Sequence, residues 1–163
     1  MSEAKLEGKI IEYSGDSFEE ISSMFSDDMD IVENEMLFFG FTEGDVFAVR
    51  LCCEELFTNA YKHGNSKDPR VGVRLEYKLI GINLPLDLIV YCFSGSIRDN
   101  GNGFDPGKIK DPLLDENLDI PNGRGILLVR NYSDFVEFKN DGGFTVSFMI
   151  SPSKNTSGFR TLR

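Results

Sequence analysis

Residues 52–64 have the sequence CCEELFTNAYKHG, in which polar side chains recur at a helical spacing. Glu55 and Asn59 are four residues apart, and Lys62 and His63 follow one turn later. At about 100° per residue, all four side chains project from nearly the same side of an α-helix. A second stripe is apolar and predicts burial against a core: Val46, Val49, Cys53, Leu56 and Ala60. The segment therefore predicts a helix that packs on a core and presents one row of polar groups.

The composition argues against several classes of protein. With 163 residues, 40% hydrophobic and 27% charged, the chain has the size and composition of one soluble globular domain. It has no apolar run of the roughly 20 residues that span a bilayer and no signal peptide, so we expect a cytoplasmic protein without a membrane partner. The net charge of −10 argues against a nucleic-acid partner, which needs a basic face. Three cysteines and one histidine are too few and too poorly spaced for a structural zinc site.

Hydrophobic periodicity predicts the element order β, α, α, β, β, loop, α, β, β. The predicted strands are residues 9–13, 70–79, 86–97, 134–139 and 144–150, and the predicted helices are residues 17–39, 42–63 and 123–132. Thr42 and Asp45 form a near variant of the capping box, and Gly95 suggests a β-bulge. The order predicts an α/β (α+β) two-layer sandwich with a mixed sheet covered by helices on one face. We expect one domain at residues 1–150 and a loose tail at residues 151–163.

Two glycine-containing segments follow the polar helix. In RDNGNGFDP (residues 98–106), Asp99 supplies an acceptor at a strand end, and Gly101 and Gly103 let the backbone approach a ligand closely. In NGRGILLVRNYSD (residues 122–134), Gly123 and Gly125 precede an apolar helix, an arrangement whose free N–H groups attract phosphate.

Each segment alone has an ordinary structural alternative. The first fits a simple turn, and the second lacks the third glycine of a Rossmann motif and the Gly-Lys-Ser/Thr of a P-loop. Glu55 and Asn59 alone fit a solvated stripe, and His63 alone fits a helix-capping residue. The three segments in this order are what point to a shared site.

Together they resemble the N, G1 and G2 boxes of the GHKL ATPases, a family that includes gyrase and the histidine kinases. The pattern E-x-x-T-N-A-x-x-H-G at residues 55–64 is most similar to the anti-sigma-factor serine/threonine kinases. The resemblance covers about residues 42–150 and implies the Bergerat ATP-binding fold. In that fold ATP lies between the sheet-covering helices and a mobile lid, here about residues 105–122.

The resemblance implies roles for ATP and Mg²⁺ as cofactors and for a set of binding residues. Asn59 would bind Mg²⁺ through its side-chain oxygen, a hard ligand for a hard ion. Asp99 would accept a hydrogen bond from the adenine amino group, with the base close to the backbone at Gly101 and Gly103. The remaining ATP-binding residues would be Lys62 and His63 near the phosphates or ribose, Gly123, Arg124 and Gly125 in the closing lid, and Thr145 as a strand threonine near adenine.

Glu55 would be the catalytic residue, a general base that takes the proton of a substrate hydroxyl. The neighbouring Glu54 is about 100° away on the helix, so the register favours Glu55. The implied function is an ATP-dependent serine/threonine kinase that phosphorylates an anti-anti-sigma (STAS-type) antagonist and otherwise sequesters a sigma factor. Relatives are often dimers, so a homodimer is expected. The alternative is a non-catalytic, ATP-dependent binding switch of the same fold.

Overall fold

The computed structural model describes residues 4–5, 8–85, 88–103, 124–153 and 160–161. In chain order its elements are β1 (Ala4–Lys5), β2 (Lys9–Tyr13), α1 (Phe18–Phe38), α2 (Glu43–Asn59), a π-helical turn (Ala60–Gly64), β3 (Val73–Leu84), β4 (Leu88–Asp99), α3 (Arg124–Tyr132), β5 (Phe135–Asn140), β6 (Phe144–Ile150) and β7 (Arg160–Thr161). None of these helices is long and apolar enough to cross a membrane. The predicted strands at residues 9–13 and 144–150 are confirmed to the residue.

The sheet has the strand order β1-β3-β4-β6-β5, with β2 also paired to β3 and β7 paired to β4. Each pairing between described strands is antiparallel, so the sheet differs from the mixed sheet that the element order suggested. The reason is the position of β6. The crossover through α3 gives β5 the same direction as β4, but β6 lies between these two strands and pairs with both.

The two-layer sandwich is confirmed, because buried side chains of all three helices share one core with one face of the sheet. On β6 the burial alternates strictly: Phe144, Val146, Phe148 and Ile150 are buried and the residues between them are partly exposed. The rings of Phe25 on α1 and Phe57 on α2 stack with their centroids 4.2 Å apart. Asp99, at the end of β4, lies on this covered face.

Gly95 lies in a regular ladder and forms no bulge, so that prediction is wrong. The pairing of β3 with β4 runs without a break from Arg74 opposite Arg98 to Leu84 opposite Leu88. Packing explains the glycine instead. A Cβ atom at Gly95 would lie 2.7 Å from Cε1 of Phe93 and 3.1 Å from Cε1 of Phe148, too close for either ring.

The start of α2 is fixed by the capping box, which is confirmed. Thr42 Oγ1 accepts a hydrogen bond from the Asp45 amide, and the Asp45 carboxylate accepts one from the Thr42 amide at 2.8 Å. Asp45 also accepts a hydrogen bond from the amide of Ser153 at 3.0 Å. The start of the predicted loose tail is therefore attached to α2, and further along the chain β7 pairs with β4. The expectation of a loose tail at residues 151–163 stays a prediction, because residues 154–159 and 162–163 lie outside the described part of the chain.

Replacing Asp45 tests this double role. We expect Asp45→Asn to lower the free energy of unfolding by about 1–3 kcal/mol, because charge-assisted hydrogen bonds from Thr42 and Ser153 are weakened. Urea denaturation at neutral pH measures the loss. Glu43→Gln removes an exposed acid from the same helical turn and is the matched control, expected to change stability by about 0.5 kcal/mol or less.

The loss should also depend on pH. Burial acts to raise the pKa of Asp45, but the hydrogen bonds from Thr42 and Ser153 outweigh it and hold the pKa below its usual value. The ionised carboxylate therefore adds stability above the pKa of the unfolded chain, and this stability is lost as pH falls through the lower folded-state pKa. Wild type and Asp45→Asn should converge in acid. A stability difference that stays constant with pH would contradict this origin.

Candidate functional site

Glu55 and Asn59 share one face of α2, and the start of α3 packs against that face. Both side chains are partly buried. A Cβ atom at Gly125 would overlap the Glu55 carboxylate and lie 3.2 Å from Asn59 Nδ2. A larger residue at position 125 would therefore displace the Glu55 carboxylate from its place between α2 and α3. The structure thus brings together three of the predicted site residues, Glu55, Asn59 and Gly125.

The two adjacent glutamates of α2 have different surroundings. Glu54 is exposed and forms an ion pair with Arg50 at 3.4 Å, and Arg50 also pairs with Asp30 and Glu33 of α1. Glu54 therefore belongs to a surface network that joins α1 and α2. Glu55 instead faces Gly125, which supports the assignment of the site carboxylate to Glu55.

The helix changes its pitch directly after Asn59. The Asn65 amide donates to the Ala60 carbonyl at 2.8 Å, an i to i−5 hydrogen bond that closes the π-helical turn. Such turns often occur at functional sites. Lys62 and His63 lie on this turn and are exposed. The assumption of 100° per residue therefore does not extend to Lys62 and His63, because a π-turn contains more residues than an α-helical turn.

Asp99 is a buried carboxylate packed against the end of the π-helical turn. It is 7% exposed, and its Oδ1 accepts a hydrogen bond from the Gly101 amide at 2.7 Å. A Cβ atom at Gly64 would overlap the Asp99 carboxyl group, and one at Gly101 would lie 2.6 Å from the Gly64 α-carbon. The structure therefore joins the polar helix to the D-x-G-x-G segment through direct backbone packing.

Burial raises the pKa of Asp99, although hydrogen bonds from the Gly101 and Phe144 amides and the charge of Arg98 oppose this effect. A carboxylate that is costly to ionise, close to other polar side chains, is a candidate for binding a ligand. Its acceptor oxygens suit a donor group such as an exocyclic amine.

Thr145 is not brought to Asp99. Thr145 lies opposite Arg98 in the ladder, and Arg98 Nη1 donates to its Oγ1 at 3.4 Å on the uncovered face of the sheet. Successive residues of a strand point to opposite faces, so Phe144 is the cross-strand neighbour of Asp99. Phe144 also packs against Gly103. Position 103 requires glycine for two reasons: its φ is +70°, and a Cβ atom there would lie 2.1 Å from Cδ2 of Phe144. The position of Phe144 beside Asp99 depends on the register of β4 and β6, which the sequence pattern does not determine.

Three predicted features of the site fall partly or wholly outside the described residues. Gly123 and the predicted lid at about residues 105–122 both lie outside them. Arg124 is the first residue of α3, but its side chain is also outside the described part of the chain.

The donor set fits Mg-nucleotide binding. Among the described residues, no three His, Cys, Asp or Glu side chains are grouped to hold a metal ion. Mg²⁺ commonly takes one or two protein ligands and completes its coordination with substrate phosphates and water. Asn59 is partly buried and lies close to Gly125 at the start of α3, so its side chain fits the role of a single protein ligand.

A comparison with known families identifies the family to which the chain belongs. The family model described as a histidine kinase-like ATPase domain matches residues 29–150. The matched span includes α2, the π-helical turn, the end of β4 and α3. The comparison with curated proteins gives no match.

Replacing Asp99 tests its assignment to adenine. We expect Asp99→Asn to weaken ATP binding about tenfold to a hundredfold, the effect of losing one charge-assisted hydrogen bond. Calorimetry with Mg-ATP measures the affinity, and thermal unfolding checks that the fold is kept. Asp141→Asn is the matched control, because Asp141 is an exposed acid that pairs with Arg98 on the uncovered face. Equal ATP affinity in Asp99→Asn and wild type would make Asp99 a turn residue only.

Proposed function

Because this chain belongs to the family of histidine kinase-like ATPase domains, we propose that it is a serine/threonine protein kinase of the anti-sigma-factor type. It would bind Mg-ATP and phosphorylate a serine or threonine of an anti-anti-sigma (STAS-type) antagonist. The observation that supports this most is the placement of Glu55. Its carboxylate faces the start of α3 beside Asn59, whereas the neighbouring Glu54 is paired with Arg50.

Nucleotide binding would use both ends of the site. Asp99 would accept the adenine amino group at the end of β4. At the other end, the first N–H groups of α3 and its helix dipole favour the negative charge of phosphates. Gly125 permits α3 to lie against α2, so the phosphates would be close to Asn59. In a chain of net charge −10, such local donors, together with the exposed Lys62 and His63, are needed to attract a polyanion.

Mg²⁺, when bound, would neutralise phosphate charge as it develops during transfer. Asn59 would hold the ion through its amide oxygen. Its position on the last turn of α2 is fixed because Leu56 and Phe57 beside it are buried in the core. The metal ligand is thus placed by helix packing and not by a loop.

Glu55 would act as the general base. Its carboxylate would accept the proton of the substrate hydroxyl as that oxygen forms a bond to the γ-phosphorus. The bond from the γ-phosphorus to the bridging oxygen then breaks, and ADP leaves. Glu55 is one turn from Asn59 on the same face, so base and metal ligand are held by one rigid element.

The partners of this proposal are the STAS-type antagonist and a sigma factor, with no nucleic acid bound directly. A homodimer is also part of the proposal.

Replacing Glu55 separates catalysis from binding. We expect Glu55→Gln to bind ATP as wild type does but to transfer phosphate about 10²–10⁴-fold more slowly, because the base is removed and the shape is kept. The assay follows labelled γ-phosphate onto a STAS-type antagonist. Glu54→Gln is the matched control and should transfer normally, since Arg50 keeps its other two acidic partners. Normal transfer by Glu55→Gln would favour the non-catalytic binding switch.

Replacing Asn59 should affect binding itself. We expect Asn59→Ala to weaken Mg-ATP binding about tenfold or more, and to change ATP affinity much less when Mg²⁺ is removed with EDTA. Calorimetry in both conditions provides the comparison, and thermal unfolding detects any general defect of α2. If Asn59→Ala lowers affinity equally with and without Mg²⁺, the side chain is not a metal ligand.

A further inference from the structure

Asn65 is a buried polar residue to which the proposed function assigns no role. It follows the π-helical turn directly and is 4% exposed, one of only a few polar side chains buried among the described residues. A buried amide must find partners for its oxygen and its two N–H donors, and those partners show what the residue holds together.

The Asn65 side chain bonds to backbone groups of two separate segments. Its Nδ2 donates to the carbonyl oxygens of Val71 at 2.6 Å and Gly72 at 3.2 Å, just before β3. Its Oδ1 accepts from the amide of Asn100 at 3.1 Å, just after β4. The main chain of Asn65 closes the π-helical turn at the same time. One residue therefore links the end of the polar helix to the adjacent ends of two strands.

The Asn100 amide belongs to the peptide group that follows Asp99. Asn65 fixes this peptide from one side, and the Gly101 amide bonds to the Asp99 carboxylate from the other. Gly64, the neighbour of Asn65, packs directly against the same carboxyl group. The orientation of the Asp99 carboxylate therefore depends on the position of Asn65.

We propose that Asn65 is a positioning residue that holds Asp99 in a fixed orientation and so sets the preference of the site for adenine over guanine nucleotides. The inference rests on the proposed nucleotide-binding function and extends it to specificity. At the equivalent position of the base, adenine has an amino donor and guanine has a carbonyl acceptor. A fixed carboxylate accepts from the first and repels the second. A carboxylate free to turn away would discriminate less.

The shape-matched variant Asn65→Asp tests this. The new carboxylate can still accept from the Asn100 amide, but it loses both donors and faces the Val71 and Gly72 carbonyl oxygens. We expect ATP affinity to fall about tenfold or more and GTP affinity to fall much less, so the ratio of the two dissociation constants moves toward one. Calorimetry with Mg-ATP and Mg-GTP measures both constants.

A matched control separates positioning from loss of stability. Val32→Ala removes buried volume from α1, where Val32 is 1% exposed and has no part in the proposed site. It should lower the melting temperature while keeping the wild-type ratio of ATP to GTP affinity. If Asn65→Asp also keeps that ratio, this inference is wrong. If wild type binds neither nucleotide, the proposed function itself is wrong.

Hydrogen exchange of the wild-type protein tests the positioning role even if Asn65→Asp does not fold. Hydrogen exchange of the Asn100 amide should be slow without nucleotide, comparable to the amides of the β4 ladder, because Asn65 Oδ1 holds it. Exchange as fast as that of a free loop amide would contradict the positioning role.

Discussion

The contact between Gly64 and the Asp99 carboxyl group connects the two layers of the molecule at the site. It places the backbone at the end of the polar helix directly against the Asp99 side chain at the end of β4. Any residue larger than glycine at position 64 would push these segments apart. The π-helical turn, the glycine at position 101 and the hydrogen bonds of Asn65 are all arranged around this contact.

This arrangement costs free energy in the ligand-free protein. Asp99 is nearly buried, and its raised pKa shows that burial disfavours its charged form more than the neighbouring amides and Arg98 favour it. A protein selected only for stability would have little reason to keep an acid here. A donor group of a bound ligand would recover part of the cost, which is why the burial of Asp99 supports a binding role.

At the other end of the site, one face of α2 packs in the core and a neighbouring face carries Glu55 and Asn59. Its apolar stripe is buried, as the sequence predicted, and this burial fixes the direction of the neighbouring face on which Glu55 and Asn59 lie. The start of α3 packs against that face at Gly125. The proposed base and the proposed metal ligand are thus held by one helix, and the proposed adenine acceptor is held at the end of β4 against the π-helical turn. Regular elements and their packing therefore set the spacing of these residues.

The sequence by itself determined most of the elements and the residue types of the proposed site, but not β1, β7 or the π-helical turn. The tertiary structure decided how these parts face each other. Local spacing, which three or four neighbouring residues encode, predicts the capping box of α2, the strands at residues 9–13 and 144–150, and the shared helix face of Glu55 and Asn59. The face of Thr145, the antiparallel pairing of each described strand and the hydrogen bonds of Asn65 depend on segments distant in the chain. A shift of one residue in register turns every side chain of a strand to the other face, and only packing against its neighbours fixes that register.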